Sequence, residues 1–218
     1  MTNKDRINEA CKIIEGWRYK FEIPDAVKVF IAHWAYQHVG VFPVESNLLK
    51  DERFMKDSAQ LSELLSANML NGENDTLATI LTQFCQSDSK SRDYYPTPEG
   101  VSKILSGIMF PDALHTPNSI YEPCVGTAGI IMDNIEKIYM NNLHLDEPLK
   151  DLSVVVEDIS AISLQSFFIQ LMYKLNYLED VGKKPSAPKS VGIYQIDVLS
   201  RERVGKIQYE LLNPRYAA

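Results

Sequence analysis

The run Leu152–Val156, a leucine and a serine followed by three valines, is the feature that most constrains the fold. Apolar, β-branched runs of this kind are typical of a strand that is buried on both faces of a parallel sheet. A helical pattern at about 160–178 follows the run. Because neighbouring parallel strands need a crossover, which is usually a helix, these two segments predict a βαβ arrangement.

Three more strands are predicted around this one, and helical segments separate most of them. Short apolar runs lie at 119–121, 191–196 and 209–212, and helical patterns begin at Pro98 and span 130–139. Strands that alternate with helices favour right-handed crossovers and a doubly wound parallel sheet. The second part of the chain is therefore predicted to have an α/β fold.

The first 90 residues have a different pattern and are predicted to be helical. Apolar residues recur there at helical spacing, Pro24 can begin a helix, and Asn71–Gly72 can end another. The segment 87–93 is polar and marks the predicted boundary. We therefore predict an all-α region at 1–90 and an α/β region at 91–218.

The composition narrows the class of protein. The chain has 218 residues and a net charge of −7, which repels a phosphate backbone, so contact with DNA would need a local positive surface or a partner. Three widely spaced cysteines and four histidines without ligand spacing argue against a disulfide framework and a metal site. The polar N-terminus and the lack of an apolar run of roughly 18 residues predict a cytoplasmic protein.

The segment Tyr121–Gly129 predicts a strand, a tight turn and the start of a helix. Gly126 and Gly129 allow a ligand to approach the backbone closely, and the free N–H groups of the helix suit a carboxylate. Glu122, at the strand end, can meet a cationic group. These features predict a ligand with both a carboxylate and a positive centre, although a glycine-containing turn occurs in every α/β protein. Neither a GxGxxG fingerprint nor a P-loop is present.

This segment resembles motif I of the amino-methyltransferases, Asp/Glu-Pro-x-x-Gly-Thr/Ser-Gly-Gly, and is most similar to that of the modification subunits of type I restriction systems. The match includes Glu122, Pro123, Gly126, Thr127 and Gly129, and alanine stands at the next-to-last position. The resemblance implies a class I S-adenosylmethionine-dependent methyltransferase core, Rossmann-like, preceded by an all-α region. S-adenosylmethionine would be the cofactor.

Three further elements resemble those of the same family. In motif X, Tyr95 and Thr97 would contact the methionine part of the cofactor, although a proline-rich turn that caps a helix has the same sequence. Glu157, at the end of the second strand, would bind the ribose hydroxyls, with Asp158 as a possible substitute. Asp197 would accept a hydrogen bond from the adenine amino group, and Leu199 would pack on the adenine ring.

The last element, Asn213–Tyr216, resembles the catalytic Asn/Asp-Pro-Pro-Tyr/Phe motif IV. The Asn213 side-chain carbonyl and the Pro214 main-chain carbonyl would hold both N–H groups of the target amine and localise its lone pair. Tyr216 would stack on a base flipped out of the duplex. Arg215 replaces the second proline, and a surface Asn-Pro turn is the alternative interpretation.

The five elements follow one another in the order that the family has, which favours a DNA adenine-N6 methyltransferase working with a specificity partner. Family members continue well beyond motif IV, so the chain is predicted to be truncated after it. A catalytically inactive regulatory or decoy protein of a restriction-modification system or mobile element remains an alternative. A methyltransferase that acts on another amine, such as a protein glutamine amide, is a third hypothesis.

Overall fold

The computed structural model describes residues 1–85, 97–109 and 117–213. The described helices, in chain order, are α1 Asn3–Gly16, α2 Ile23–Val39, α3 Glu52–Met69, α4 Thr76–Cys85, α5 Glu99–Met109, α6 Gly129–Asn141 and α7 Ala161–Gly182. The strands are β1 Ser119–Pro123, β2 Ser153–Asp158, β3 Ser190–Asp197 and β4 Glu202–Leu212. Short 3-10 helices follow α1, at Trp17–Tyr19, and precede α3, at Asn47–Lys50.

Local sequence signals fix the ends of the first three helices. The Thr2 side chain caps α1 in a capping box, and α2 has proline in its first turn and ends at Gly40 in a left-handed conformation, with φ 71°. Asp51 caps α3 by accepting a hydrogen bond of 3.0 Å from the Phe54 amide. The first part of the chain is therefore helical, as its apolar spacing predicts.

The sheet has β2 at its centre, paired in parallel with β1 on one side and β3 on the other. Val154 and Val156 are fully buried, and α6 and α7 connect the three parallel strands. The interpretation of 152–156 as a buried parallel strand is confirmed.

The fourth strand differs from the prediction in length and direction. It spans eleven residues, and it is antiparallel to β3. The physical reason is the connection, since only Val198–Arg201 joins the two strands, and a link this short can make a hairpin but not a parallel crossover. The prediction of an all-parallel, doubly wound sheet is therefore wrong at β4, and the strand order β1-β2-β3-β4 has no reversal among the described residues.

The helical first part and the sheet share one core. Trp34 of α2 lies against Tyr173 of α7, with ring centroids 5.8 Å apart. Tyr209 of β4 stacks on Phe168 of α7 at 5.1 Å and meets Phe42 edge-on at 5.3 Å. The predicted region boundary at 87–93 lies outside the described residues.

Candidate functional site

The carboxyl ends of β1, β2 and β3 lie at one edge of the sheet. β1 ends at Pro123, which pairs with Glu157, and Asp158 at the end of β2 pairs with Gln195. Because the three strands are parallel, the turn after β1, the acids of β2 and Asp197 of β3 are brought to the same edge. Open α/β sheets bind their ligands at this edge.

The turn between β1 and α6 has left-handed backbone at three residues. Positive φ values occur at Cys124 (59°), Gly126 (54°) and Ala128 (99°). Ala128 directly precedes α6, and its φ lies in the region that favours glycine, which accounts for the glycine of the resembled motif at this position. The carboxylate of Asp158 accepts a 2.9 Å hydrogen bond from the Gly126 amide, so the end of β2 holds the turn in place.

A cavity of about 170 Å³ lies against this turn, and its lining includes Glu122, Thr97 and Asp75. The Oε2 atom of Glu122 is buried and has no hydrogen-bond partner among the described residues. Burial, together with the nearby Asp75 carboxylate, raises the pKa of Glu122 to about 8. A buried carboxylate oxygen without a hydrogen-bond partner is costly for the fold, so this oxygen marks a place where a cationic ligand group would be stabilised.

Asp75 is a candidate site residue that no sequence motif predicts. It directly precedes α4 and accepts a hydrogen bond of 3.1 Å from Nε2 of Gln170, and burial raises its pKa. Gln170 also donates to the main-chain oxygen of Thr127 and accepts from the Leu77 amide at 2.9 Å. The start of α4 is thereby joined to the turn through one side chain of α7.

Gly129 lies where a side chain would press on Asp75. A Cβ atom added at Gly129 would lie 3.2 Å from the Oδ2 atom of Asp75, closer than most such contacts. The glycine therefore lets the acid approach the beginning of α6. Asp75 is difficult to single out in the sequence, because it is one of several polar residues in the segment 71–75.

The carboxylate of Glu157, predicted to bind ribose, is bonded to two other side chains. Arg201 contacts it in a bidentate pair, with Nη1–Oε2 at 2.6 Å and Nη2–Oε1 at 3.0 Å. The Tyr121 hydroxyl donates a hydrogen bond of 2.6 Å to Oε2. The guanidinium group of Arg201 lowers the pKa of Glu157. Neither partner could be predicted from the sequence, because they lie 36 residues before and 44 residues after the acid.

The carboxylate of Asp197, predicted to bind adenine, caps the β3–β4 hairpin. Its Oδ1 accepts hydrogen bonds from the amides of Leu199 at 3.0 Å and Ser200 at 3.4 Å. The Leu199 side chain is 97% exposed, so no described residue packs on it closely. The two acids predicted to bind the nucleoside, Glu157 and Asp197, therefore lie at the carboxyl ends of their strands, and both are hydrogen-bonded to other groups of the protein.

The structure separates Asn213 from the other predicted site residues. Its amide donates a hydrogen bond of 3.1 Å to the Lys189 carbonyl, and Leu212 pairs with Ser190 at the beginning of β3. At about 3.3 Å per residue, Asn213 lies roughly 25 Å from Asp197, at the opposite edge of the sheet. Predicted residues Tyr95, Pro214 and Tyr216 lie outside the described residues, as does Arg215.

A second cavity, of about 630 Å³, shares Asp75, Thr97 and Gly129 with the first. Charges of both signs line it, among them Asp133, Glu136, Lys103 and Lys137. The Ser102 hydroxyl of α5 donates to the Gly129 carbonyl at 2.9 Å and so joins α5 to the start of α6. Cofactor sites usually enclose about 300–1,000 Å³, so the two adjoining cavities together provide a space of that size.

Residues 74–161 match the family model described as N-6 DNA Methylase. The matched range begins beside Asp75 and includes the turn 122–129 and Glu157, whereas Asp197 and Asn213 lie beyond it. No curated protein and no solved structure matches the chain. Within the described residues, no helix is long and apolar enough to cross a membrane. The part of the chain that carries the turn and its cavity is therefore similar to N-6 DNA methylases.

Proposed function

We propose that this chain binds S-adenosylmethionine at the carboxyl edge of β1–β3 and acts as a DNA adenine-N6 methyltransferase of the class I type. The observation that carries the proposal is the buried Oε2 of Glu122, which lies in the cavity beside the turn and has no hydrogen-bond partner within the part of the chain that the structure describes. A second carboxylate, Asp75, lines the same cavity. Two acids in one cavity favour a ligand with a positive charge over a neutral or anionic one.

The methionine end of the cofactor fits the described residues. Its ammonium group would be held by Glu122 and Asp75, and its carboxylate by the amides at the start of α6. Thr97 lines the same cavity, in keeping with the predicted motif X contact. When bound, the cofactor supplies a methyl group that is activated by the sulfonium centre.

The nucleoside end of the cofactor can bind only after the protein has rearranged. Glu157 would accept the ribose hydroxyls and Asp197 the adenine amino group, and the hairpin that now bonds to both acids would have to release them. Because the chain is acidic, we propose that DNA is contacted through a specificity partner, as the resemblance to type I modification subunits implies. The cell compartment we propose is the cytoplasm.

A second candidate function, a catalytically inactive regulatory or decoy protein, is favoured by the place of Asn213. Methyl transfer by the predicted motif IV needs Asn213 and Pro214 beside the cofactor, and the hydrogen bond to Lys189 holds Asn213 at the other edge of the sheet. Binding of the cofactor without transfer would agree with this arrangement.

Calorimetric titration with S-adenosylmethionine tests the binding proposal. We expect Glu122→Gln to weaken binding by about tenfold or more, because a desolvated charge pair is replaced by a neutral contact. Glu210→Gln makes the same chemical change at an exposed position of β4 and serves as the matched control. Absence of binding by the folded wild-type protein would refute the proposal.

A methylation assay separates the two candidate functions. The chain is co-expressed with the genes that flank its own, in a host without adenine methylation, and N6-methyladenine in the DNA is measured by mass spectrometry. If the protein is an enzyme, N6-methyladenine is expected to form, and Asn213→Ala is expected to abolish its formation. A product that persists in this variant would contradict the catalytic role of Asn213, and cofactor binding without product would select the inactive alternative.

A further inference from the structure

The two ends of the candidate cofactor site are in different states. At the methionine end, Oε2 of Glu122 has no hydrogen-bond partner among the described residues. At the nucleoside end, the carboxylates of Glu157 and Asp197 are both bonded to the hairpin segment 199–201. The hairpin therefore occupies, with its own donors, the acids that the sequence predicts for the ribose and the adenine.

The pair between Arg201 and Glu157 is asymmetric in its exposure. The Arg201 side chain is 58% exposed, whereas the Glu157 side chain is 6% exposed and also accepts the Tyr121 hydroxyl. Because more than half of the Arg201 side chain is already exposed, its guanidinium group can move into water at little cost in solvation. The carboxylate cannot follow it, since β2 fixes its position. Opening the pair therefore means movement of the arginine alone.

The backbone of the hairpin directs Arg201 toward the acid. Arg201 has a left-handed conformation, with φ 61°, and its amide donates a 2.7 Å hydrogen bond to the Asp197 carbonyl. Asp197 fixes the same turn through the amides of Leu199 and Ser200. A non-glycine residue in this conformation is uncommon, and here the turn places a side chain with two parallel donors against a carboxylate.

We propose that Arg201 is a latch that closes the nucleoside half of the site and lowers the affinity for the cofactor. The inference rests on the proposed function, since it concerns access to the same acids. A ribose hydroxyl can reach Glu157 only when Arg201 has left it, so the apparent dissociation constant is the intrinsic one divided by the fraction of open molecules. Removing the latch raises that fraction.

Calorimetric titration of the wild-type protein and three variants with S-adenosylmethionine tests the latch. We expect Arg201→Met to bind about three- to tenfold more tightly than wild type, because the competing donors are gone. Arg203→Met removes the same charge from the same hairpin, where Arg203 is bonded to Gln208 instead, and is expected to bind within about twofold of wild type. Arg201→Lys keeps the charge without the bidentate geometry, and its affinity for the cofactor is expected to lie between those of Arg201→Met and wild type.

Each outcome decides between distinct conclusions. Equal or weaker binding by Arg201→Met, with wild-type binding intact, overturns the latch and leaves the proposed function standing. Absence of binding by all the proteins, each shown to be folded by circular dichroism, overturns the proposed function and the latch with it. If Arg201→Met does not fold, Arg201→Lys carries the test, and unchanged binding by that variant overturns the latch.

A shorter probe locates the effect within the site. Titration with adenosine, which lacks the methionine end, is expected to reveal the same gain for Arg201→Met. A gain for S-adenosylmethionine that is absent with adenosine would overturn the assignment of the latch to the nucleoside half.

Discussion

At the scale of single residues, Glu122 of the candidate site is expected to lower the stability of the fold at neutral pH. Burial beside Asp75 raises its pKa from the ordinary 4.5 to about 8. Between these two values the folded protein binds more protons than the unfolded chain. The free energy of unfolding therefore falls as the pH rises from 4.5 to 8, and the loss is complete above the folded pKa.

Replacing Glu122 with glutamine is expected to remove this loss. Glutamine has the same shape and does not titrate. As the pH rises from 5 to 8, the free energy of unfolding of the variant is therefore expected to increase, relative to that of wild type, by on the order of 3 kcal/mol. Thermal unfolding at pH 5, 6.5 and 8, followed by circular dichroism, measures the gain. Glu210→Gln, at an exposed position, is the control. Parallel pH curves for wild type and Glu122→Gln would contradict the prediction.

Sequence reasoning reaches residues that lie together in one segment and misses those that the fold brings in from elsewhere. Glu122, Gly126 and Gly129 belong to one strand–turn–helix pattern, so their common place at the sheet edge could be predicted. Asp75 lies 47 residues before Glu122, between two helices of the first part of the chain, and belongs to no motif that would connect the two acids. Arg201 becomes relevant only when the direction of β4 is known.

At the scale of elements, an ion pair in the interior joins α6, α7 and the segment before α4. The ammonium group of Lys174 on α7 contacts the carboxylate of Glu136 on α6 and donates a hydrogen bond of 2.6 Å to Oδ1 of Asn74. The two charged side chains differ in burial, with Lys174 2% exposed and Glu136 31% exposed. The cost of breaking the pair therefore depends on which partner is left behind.

Removal of the acid is expected to destabilise the fold more than removal of the base. Glu136→Ala leaves an ammonium group buried and is expected to cost about 3 kcal/mol, because a desolvated charge loses its partner. Lys174→Met leaves a carboxylate that water can reach and is expected to cost about 1 kcal/mol. Urea unfolding of both variants gives the two free energies, and equal costs would contradict the asymmetry.

The sequence of β4 contains a pattern that distinguishes it from the parallel strands. Ile207, Tyr209 and Leu211 alternate with Gln208 and Glu210, which is the period of a strand with one buried face. Parallel strands inside an α/β sheet contain a continuous apolar run, as β2 does at its three valines, so the alternation in β4 is the signal that separates the two kinds of strand. Burial of Ile207 and Tyr209, with Glu210 exposed, agrees with it.

At the scale of the whole molecule, the shared core predicts one cooperative unfolding unit. The chain has two tryptophans, Trp17 and Trp34, and both lie in the helical first part. Trp34 packs on Tyr173 of α7, the helix that leads from β2 to β3. Destabilisation of the sheet is therefore expected to disturb the packing of the tryptophans through α7.

Truncation of a buried valine in the sheet tests this cooperativity. Val154→Ala in β2 is expected to cost about 2 kcal/mol, since it leaves a cavity at a fully buried position. Because the unit is cooperative, the midpoint measured by tryptophan fluorescence is expected to fall by the same amount as the midpoint measured by far-ultraviolet circular dichroism. A fluorescence midpoint that stays at the wild-type value would indicate two independent units.

Among the described strands, β1 and β4 are the outer ones of the sheet. An unpaired strand edge can template pairing between molecules and so begin aggregation. β1 is five residues long and ends at Pro123, which has no N–H to donate. β4 is longer but carries exposed charges at Arg203, Lys206 and Glu210. Intermolecular β-pairing is thus opposed in two ways. β1 is short and ends in proline, and β4 carries exposed charges.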